Sequence, residues 1–122
     1  ITKIIFVVSD KVSSNKIESW DVSKDKDKSI MAWVESDGSN GYILTIAGKE
    51  KIIANPDSSY LFYEFKKVTE IKNIGLFNTN NVENMKSMFG YCNSIVSLDL
   101  SNFNTSNVKY MNGMFRNWYR FK

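Results

Sequence analysis

Apolar positions along the chain follow two rhythms. In the first part they come in short runs or alternate. Lys3 to Ser9 (KIIFVVS) reads as a strand, and SIMAWV and YILTIA, at 29–34 and 42–47, read as a hairpin across ESDGSNG. Asp37-Gly38 and Asn40-Gly41 are turn dipeptides inside that connection. Lys51 to Ala54 offers a third strand. Lys11 to Trp20 suits a short helix or a loop, and the pattern does not separate them.

Downstream the rhythm changes. Val82, Met85, Met88 and Phe89 fall at i, i+3, i+6 and i+7, and Val108, Met111, Met114 and Phe115 do the same. That spacing predicts one face of a short helix. Asn80 with Glu83 has the separation of a helix-capping pair, which Lys109 breaks in the next copy. Then Ile95, Leu98, Leu100 and Phe103 follow an L-x-x-L-x-L pattern, which predicts a short strand with alternate residues inward.

These two patterns belong to one repeat. FNTNNVENMKSMF at 77–89 and FNTSNVKYMNGMF at 103–115 are offset by 26 and identical at eight of thirteen positions. Met88-Phe89 is followed by Cys92 and Ile95, and Met114-Phe115 by Trp118 and Phe121 at the same spacing. Leu61-Phe62, with Phe65 and Val68, is an earlier, more degenerate copy offset by 27. The predicted fold is therefore α/β: leucine-rich-type right-handed solenoid turns, each a short helix plus a short parallel strand. Ile71–Ile74 and Val96–Leu100 should pair in parallel. The expected organisation is a small β-rich capping region at 1–57, then about two and a half repeats at 58–122, the last one truncated. Asn78, Thr79 and Asn81 recur as Asn104, Thr105 and Asn107. Their expected role is structural, satisfying backbone groups at the turn.

At these residues the chain resembles a known family. LDLSNFNTSNVKYMNGMF at 98–115 is similar to the short repeat of BspA-like bacterial surface proteins, and ANPDSSYLFYEF at 54–65 looks like the segment that often precedes such repeats. The resemblance implies a secreted or wall-anchored bacterial protein engaged in adhesion. Two departures stand out: the chain stops at Lys122, where family members carry many repeats, and Trp118 replaces a small residue. The start at Ile1 rather than methionine suggests a processed or trimmed piece. The edge at Leu98–Leu100, or the aromatics of the RNWYRFK tail, is expected to drive self-association of this fragment.

Composition narrows the chemistry. Hydrophobic residues at 43% and aromatics at 14% support a packed core and argue against disorder. A net charge of +3 with both signs scattered points to neither nucleic acid nor an anionic membrane. The KDKDK run, Lys24 to Lys28, alternates in sign and reads as a solvated loop. No apolar run is long enough to span a bilayer, so direct membrane insertion is not expected. One cysteine rules out an intrachain disulfide, and the absence of histidine removes the commonest general base and metal ligand.

Few residues suggest catalysis. Cys92 has no histidine partner and is expected to be a buried core thiol. Met85, Met88, Met111 and Met114 have core spacing rather than that of a soft-metal site. Glu18 and Asp21 are expected to be solvated surface acids. No phosphate loop, zinc spacing or calcium loop occurs. The chain is thus read as non-catalytic, with no cofactor and no metal. Candidate partner-binding residues are Glu70, Lys72, Ser97, Asp99 and Ser101, expected to face outward along a concave strand surface, together with Tyr91, Tyr110 and Tyr119. The expected function is a surface-exposed protein-interaction module of an adhesin-like protein, extracellular or on the bacterial cell surface. Its partner would be a protein on a host or neighbouring bacterial cell. The alternative is a glycan-binding module that uses the exposed aromatics as stacking platforms.

Overall fold

The fold was analysed in a computed structural model, which describes residues 1–118. Seven strands form in chain order: β1 (Lys3–Val8), β2 (Glu18–Asp21), β3 (Ile30–Ser36), β4 (Tyr42–Gly48), β5 (Ile52–Ile53), β6 (Glu70–Lys72) and β7 (Phe77–Asn78). Five of them make a mixed sheet in the order β2-β3-β4-β1-β6. The β3–β4 hairpin is antiparallel, as the alternating pattern predicts, with Ile30 opposite Gly48 and Ser36 opposite Tyr42. The residues after Lys11 form a loop and then β2, which pairs antiparallel with β3.

β1 is central. It pairs in parallel with β4 on one side and with β6 on the other. β6 lies well inside the repeat region, so the N-terminal strands and the repeats share one sheet. Alternation sends Ile4 and Phe6 of β1, Leu44 of β4 and Ala32 of β3 to the same core face. There they join Phe62, Val68, Phe77, Val82 and Phe89 in a single apolar cluster that runs on to Met114. The predicted third strand exists as β5, yet it pairs in parallel with β7 and not with the hairpin.

The expected α/β solenoid of helix-plus-strand turns is not what forms. Among the described residues there is no α-helix, only a three-residue 3-10 turn at Ile74–Leu76, and the structure is nearly all β. Val96–Leu100 is not a strand, so the predicted parallel pairing with Ile71–Ile74 is corrected: Ile71 pairs with Ile4 of β1 instead. The capping pair Asn80–Glu83 has no helix to cap, and Glu83 pairs instead with Lys109 at 3.3 Å.

The reason lies in backbone geometry. Tyr60, Ser87 and Gly113 occupy one repeat position and Glu64, Tyr91 and Asn117 another, and all six have positive φ. Two left-handed residues, four apart, interrupt every copy, and a right-handed helix cannot pass through them. Between them the chain makes short turns, such as Met88 N–H to Met85 O and Gly90 N–H to Ser87 O. The remaining amides bond across copies. Ser58, Tyr60, Phe62 and Glu64 donate to the carbonyls of Asn84, Lys86, Met88 and Gly90. Met85, Ser87, Phe89 and Tyr91 donate in the same way to Tyr110, Asn112, Met114 and Arg116. A three-to-four-residue turn rhythm therefore produces the same apolar spacing as a helix face.

Stacking in register aligns like with like. Phe62 lies on Phe89 with ring centroids 5.4 Å apart, and Phe89 on Phe115 at 5.9 Å, with interplanar angles of 19° and 3°. The expected core methionines divide: Met85, Met88 and Met114 are buried, whereas Met111 is 46% exposed. Asn78 and Asn104 cap their turns identically, their side-chain oxygens accepting from the N–H groups of Asn80 and Ser106, each at 2.9 Å. Buried Thr79 accepts from Asn104 N–H at 2.8 Å and so ties one copy to the next.

Candidate functional site

The stack meets the N-terminal loops along an open groove of about 980 Å³. One wall is the loop after β2 together with the β4–β5 connection, contributing Lys24, Asp25, Asp27, Lys49, Glu50 and Lys51. The other wall is built by the repeat. Pro56, Glu83 and Lys109 stand at one repeat position, and Asn81 and Asn107 at another, so their side chains rise in columns. Asn107 donates to Asn80 O at 2.7 Å, which sets one column, and the Glu83–Lys109 ion pair sets the other.

In the first wall Lys24 to Lys28 form an exposed loop, as their alternating charges predict, and local hydrogen bonds fix its path. Asp21 accepts from the N–H and hydroxyl of Ser23 at 2.9 and 2.6 Å and from Lys28 N–H at 3.0 Å. The chain wraps around this carboxylate, with Lys26 and Lys28 in the left-handed region. Hydrogen bonds from the Ser23 hydroxyl and N–H hold the Asp21 carboxyl below its ordinary range, and those from Ser29 do the same for Asp27. Both acids are thus charged at neutral pH. Among the described residues, four lysines and four carboxylates line the groove, so their charges balance, and none of the lining side chains is aromatic. A surface of that kind suits a partner carrying both charge signs better than a polyanion.

A second feature is a row of tyrosines. Tyr60 packs edge-on against Tyr63 at 5.1 Å, and Tyr63 against Tyr91 at 5.5 Å. Lys86 Nζ lies 6.0 Å from the centre of the Tyr60 ring. Desolvation, then the neighbouring Tyr91 and Glu64, raise the Tyr63 hydroxyl above its ordinary value.

The residues singled out from sequence do not form one strip. Glu70 and Lys72 are exposed on β6, and Glu70 pairs with Lys3 at 3.1 Å. Ser97, Asp99 and Ser101 are exposed but lie off any strand. Asp99 caps its own turn, accepting from Ser101 N–H at 3.0 Å, and the Ser101 hydroxyl and N–H lower its pKa. Tyr91 belongs to the tyrosine row, while Tyr110 stands 57% exposed on the third copy. Tyr119 lies outside the described residues. The groove was missed because the KDKDK run was read as a solvated loop and the paired asparagines as local turn chemistry. The available signal was repeat phase, since residues at one repeat position stack into a wall.

Cys92 is fully buried, and its thiol donates to Phe62 O at 2.8 Å. Burial pushes its pKa up to about 11, so it is a poor nucleophile. Among the described residues, no group of three or more His, Cys, Asp or Glu is disposed to hold a metal ion.

Fold and groove together define a repeat-built β protein: a mixed sheet continued by stacked turns, with a polar groove where they join. Residues 56–122 match the family described as "Mycoplasma protein of unknown function, DUF285", and the chain belongs to that family. This corrects the resemblance to BspA-like proteins, because the matched family is a different one and no leucine-rich repeat is found. No curated protein and no solved structure matches the chain. The family description places the chain among bacterial proteins. No helix among the described residues is long and apolar enough to cross a membrane.

Proposed function

We propose that this chain is a non-catalytic protein-interaction module displayed at the bacterial cell surface, and that the groove between loop and stack receives the partner. One observation carries the reading: the described residues of the groove present balanced fixed charges and amide columns. Such a lining supplies directional hydrogen bonds and short-range ion pairs, which favour a protein surface of mixed polarity. The partner is a protein on a host cell or a neighbouring bacterial cell. The tyrosine row supports the second reading, a glycan-binding module, because its rings offer apolar faces beside the Lys86 donor.

The two readings separate in one experiment. Beads coated with the chain are incubated with cultured animal cells or with bacterial cells, untreated, protease-shaved or periodate-oxidised. The protein reading expects adhesion to be lost on shaving, to survive periodate, and to drop at least tenfold in Glu83→Lys/Lys49→Glu but not in Tyr63→Ala. Loss on periodate and in Tyr63→Ala, with the groove variant unaffected, would establish the glycan reading instead.

A further inference from the structure

The polar groove opens onto an apolar cleft of about 240 Å³, and the two share Ile30, Ile53, Ala54 and Asn55. The cleft lies between the core face of the sheet and the first copy. Strand pairing puts Trp20, Ala32 and Ile46 in one row on that face, and Leu61 and Phe62 line the cleft from the first copy. The repeat itself accounts for the space. Asp57 bridges to Asn84 and Asn84 to Tyr110, so Ser58 stands at the repeat position of Met85 and Met111. Met85 is fully buried and fills the second copy. The first copy has only a hydroxymethyl group there, and the Ser58 hydroxyl turns back to donate to Asn55 O at 2.8 Å. Ser58 lies on the cleft lining, where the longer side chain of a methionine would otherwise reach.

The rim of the cleft indicates what it takes. Trp20, Ile53 and Leu61 line it and are 41%, 46% and 42% exposed. Single exposed apolar residues mean little, but three around one cleft make a contiguous apolar surface. Among the described residues that line it, Asp57 alone is charged. Asp57 Oδ1 accepts from the N–H and hydroxyl of Ser59 at 3.1 and 2.5 Å, and Oδ2 accepts from no described residue. The Ser59 hydroxyl and N–H hold this carboxyl below its ordinary range, so it is charged at neutral pH. An apolar cavity of roughly 150 Å³ holds a benzene ring, so this cleft has room for an aromatic side chain. A lone fixed anion beside it complements a cation carried next to that ring.

We propose that the cleft takes an aromatic side chain of the partner protein, flanked by a lysine or arginine that pairs with Asp57, while the bound segment continues into the groove. The proposal rests on the reading of the groove as a protein-binding site and names the chemistry of its partner. The aromatic ring fills the space beside Ser58 and covers Trp20, Ile53 and Leu61. The segment beyond it carries both charge signs, to match the lysines and carboxylates of the groove. An apolar anchor in a pocket, bordered by polar contacts, is the arrangement in which a few residues carry most of the binding energy. The pair with Asp57 lies at the exposed rim, so it orients the segment more than it tightens it.

Amide NMR of the isotopically labelled 122-residue chain, titrated with capped dipeptides, tests the cleft directly. Phenylalanine–lysine should shift the amides of Trp20, Ile53, Ser58 and Leu61 saturably. Alanine–lysine should not, and phenylalanine–glutamate should bind at least threefold more weakly. Asp57→Asn keeps an acceptor for Ser59, so it should fold unchanged and lose the preference for lysine over glutamate. Ser58→Met fills the cleft from within, and Leu61→Lys, on a half-exposed side chain, blocks its mouth. Each should weaken phenylalanine–lysine binding at least tenfold, and each should lower bead adhesion to cells as Glu83→Lys/Lys49→Glu does. No saturable shift at the cleft amides, or a lysine preference that survives Asp57→Asn, would overturn the proposal. Adhesion that falls in the groove variant but in neither cleft variant would overturn the anchor and leave the groove reading standing. Adhesion unchanged in all three would overturn the groove reading and the anchor with it.

Discussion

Position by position, the repeat conserves a bond more strictly than a residue type. Cys92 and Trp118 stand at one repeat position, and each donates to the carbonyl of the core phenylalanine one copy back: the thiol to Phe62 O at 2.8 Å, the indole N–H to Phe89 O at 2.6 Å. Each carbonyl also accepts from a backbone N–H three residues on, Phe65 at 3.4 Å and Cys92 at 3.2 Å, and two unlike side chains fill its second acceptor position. Burial desolvates the cysteine thiol and raises its pKa from 9.0 to about 11. An acid whose folded pKa exceeds its unfolded value keeps its proton longer when folded. Between pH 9 and about 11 the unfolded chain therefore releases a proton that the folded chain holds, and stability falls as pH rises through that window. Urea midpoints across this range should show the decline, and Cys92→Ser, which keeps a donor but does not ionise, should flatten it. An equal decline in Cys92→Ser would place the alkaline sensitivity elsewhere.

Among the elements, the left-handed positions decide what the turns become. Ser87 is buried at φ +53, and its counterpart Gly113 sits at φ +70. A Cβ placed on Gly113 would come 2.9 Å from Ser87 Oγ, so the stack leaves little room there. Glycine adopts this conformation without steric cost, whereas a β-branched residue is strained by roughly 1–2 kcal/mol or more. Ser87→Gly should accordingly leave the thermal midpoint nearly unchanged, and Ser87→Val should lower it clearly. A Val variant as stable as the Gly variant would mean that the left-handed residues do not determine the turn. The same argument explains why Asn80–Glu83 and the methionine spacing misdirect a helix assignment.

Across the whole molecule, sheet and stack form one body. β6 joins the N-terminal sheet through β1, and Phe6 packs on both Phe62 and Phe77, at 6.2 and 5.1 Å. Removing residues 1–55 would strip the cover from Phe62, Val68 and Phe77 and leave β6 without its partner strand. We expect the remaining span, although it contains the family match, to lose its cooperative thermal transition and its dispersed amide spectrum. A sharp melt of that fragment would show that the repeats fold without the sheet.

The residues already disclosed the repeat and its phase, the β3–β4 hairpin, β1 as a strand, the buried Phe89 and Cys92, and the turn chemistry of Asn78 and Thr79. Each is local, or follows from identity at a fixed offset, and local sterics and burial are enough to express it. Packing alone decided the rest. The parallel pairing of β1 with β4 and β6 joins segments far apart in the chain, and no pattern within either segment names its partner. Turns instead of helices arise because each copy finds backbone acceptors on its neighbour, and those acceptors are absent from any single copy. The groove follows for the same reason: its charged loop and its amide columns meet only once the repeat stacks beside the sheet.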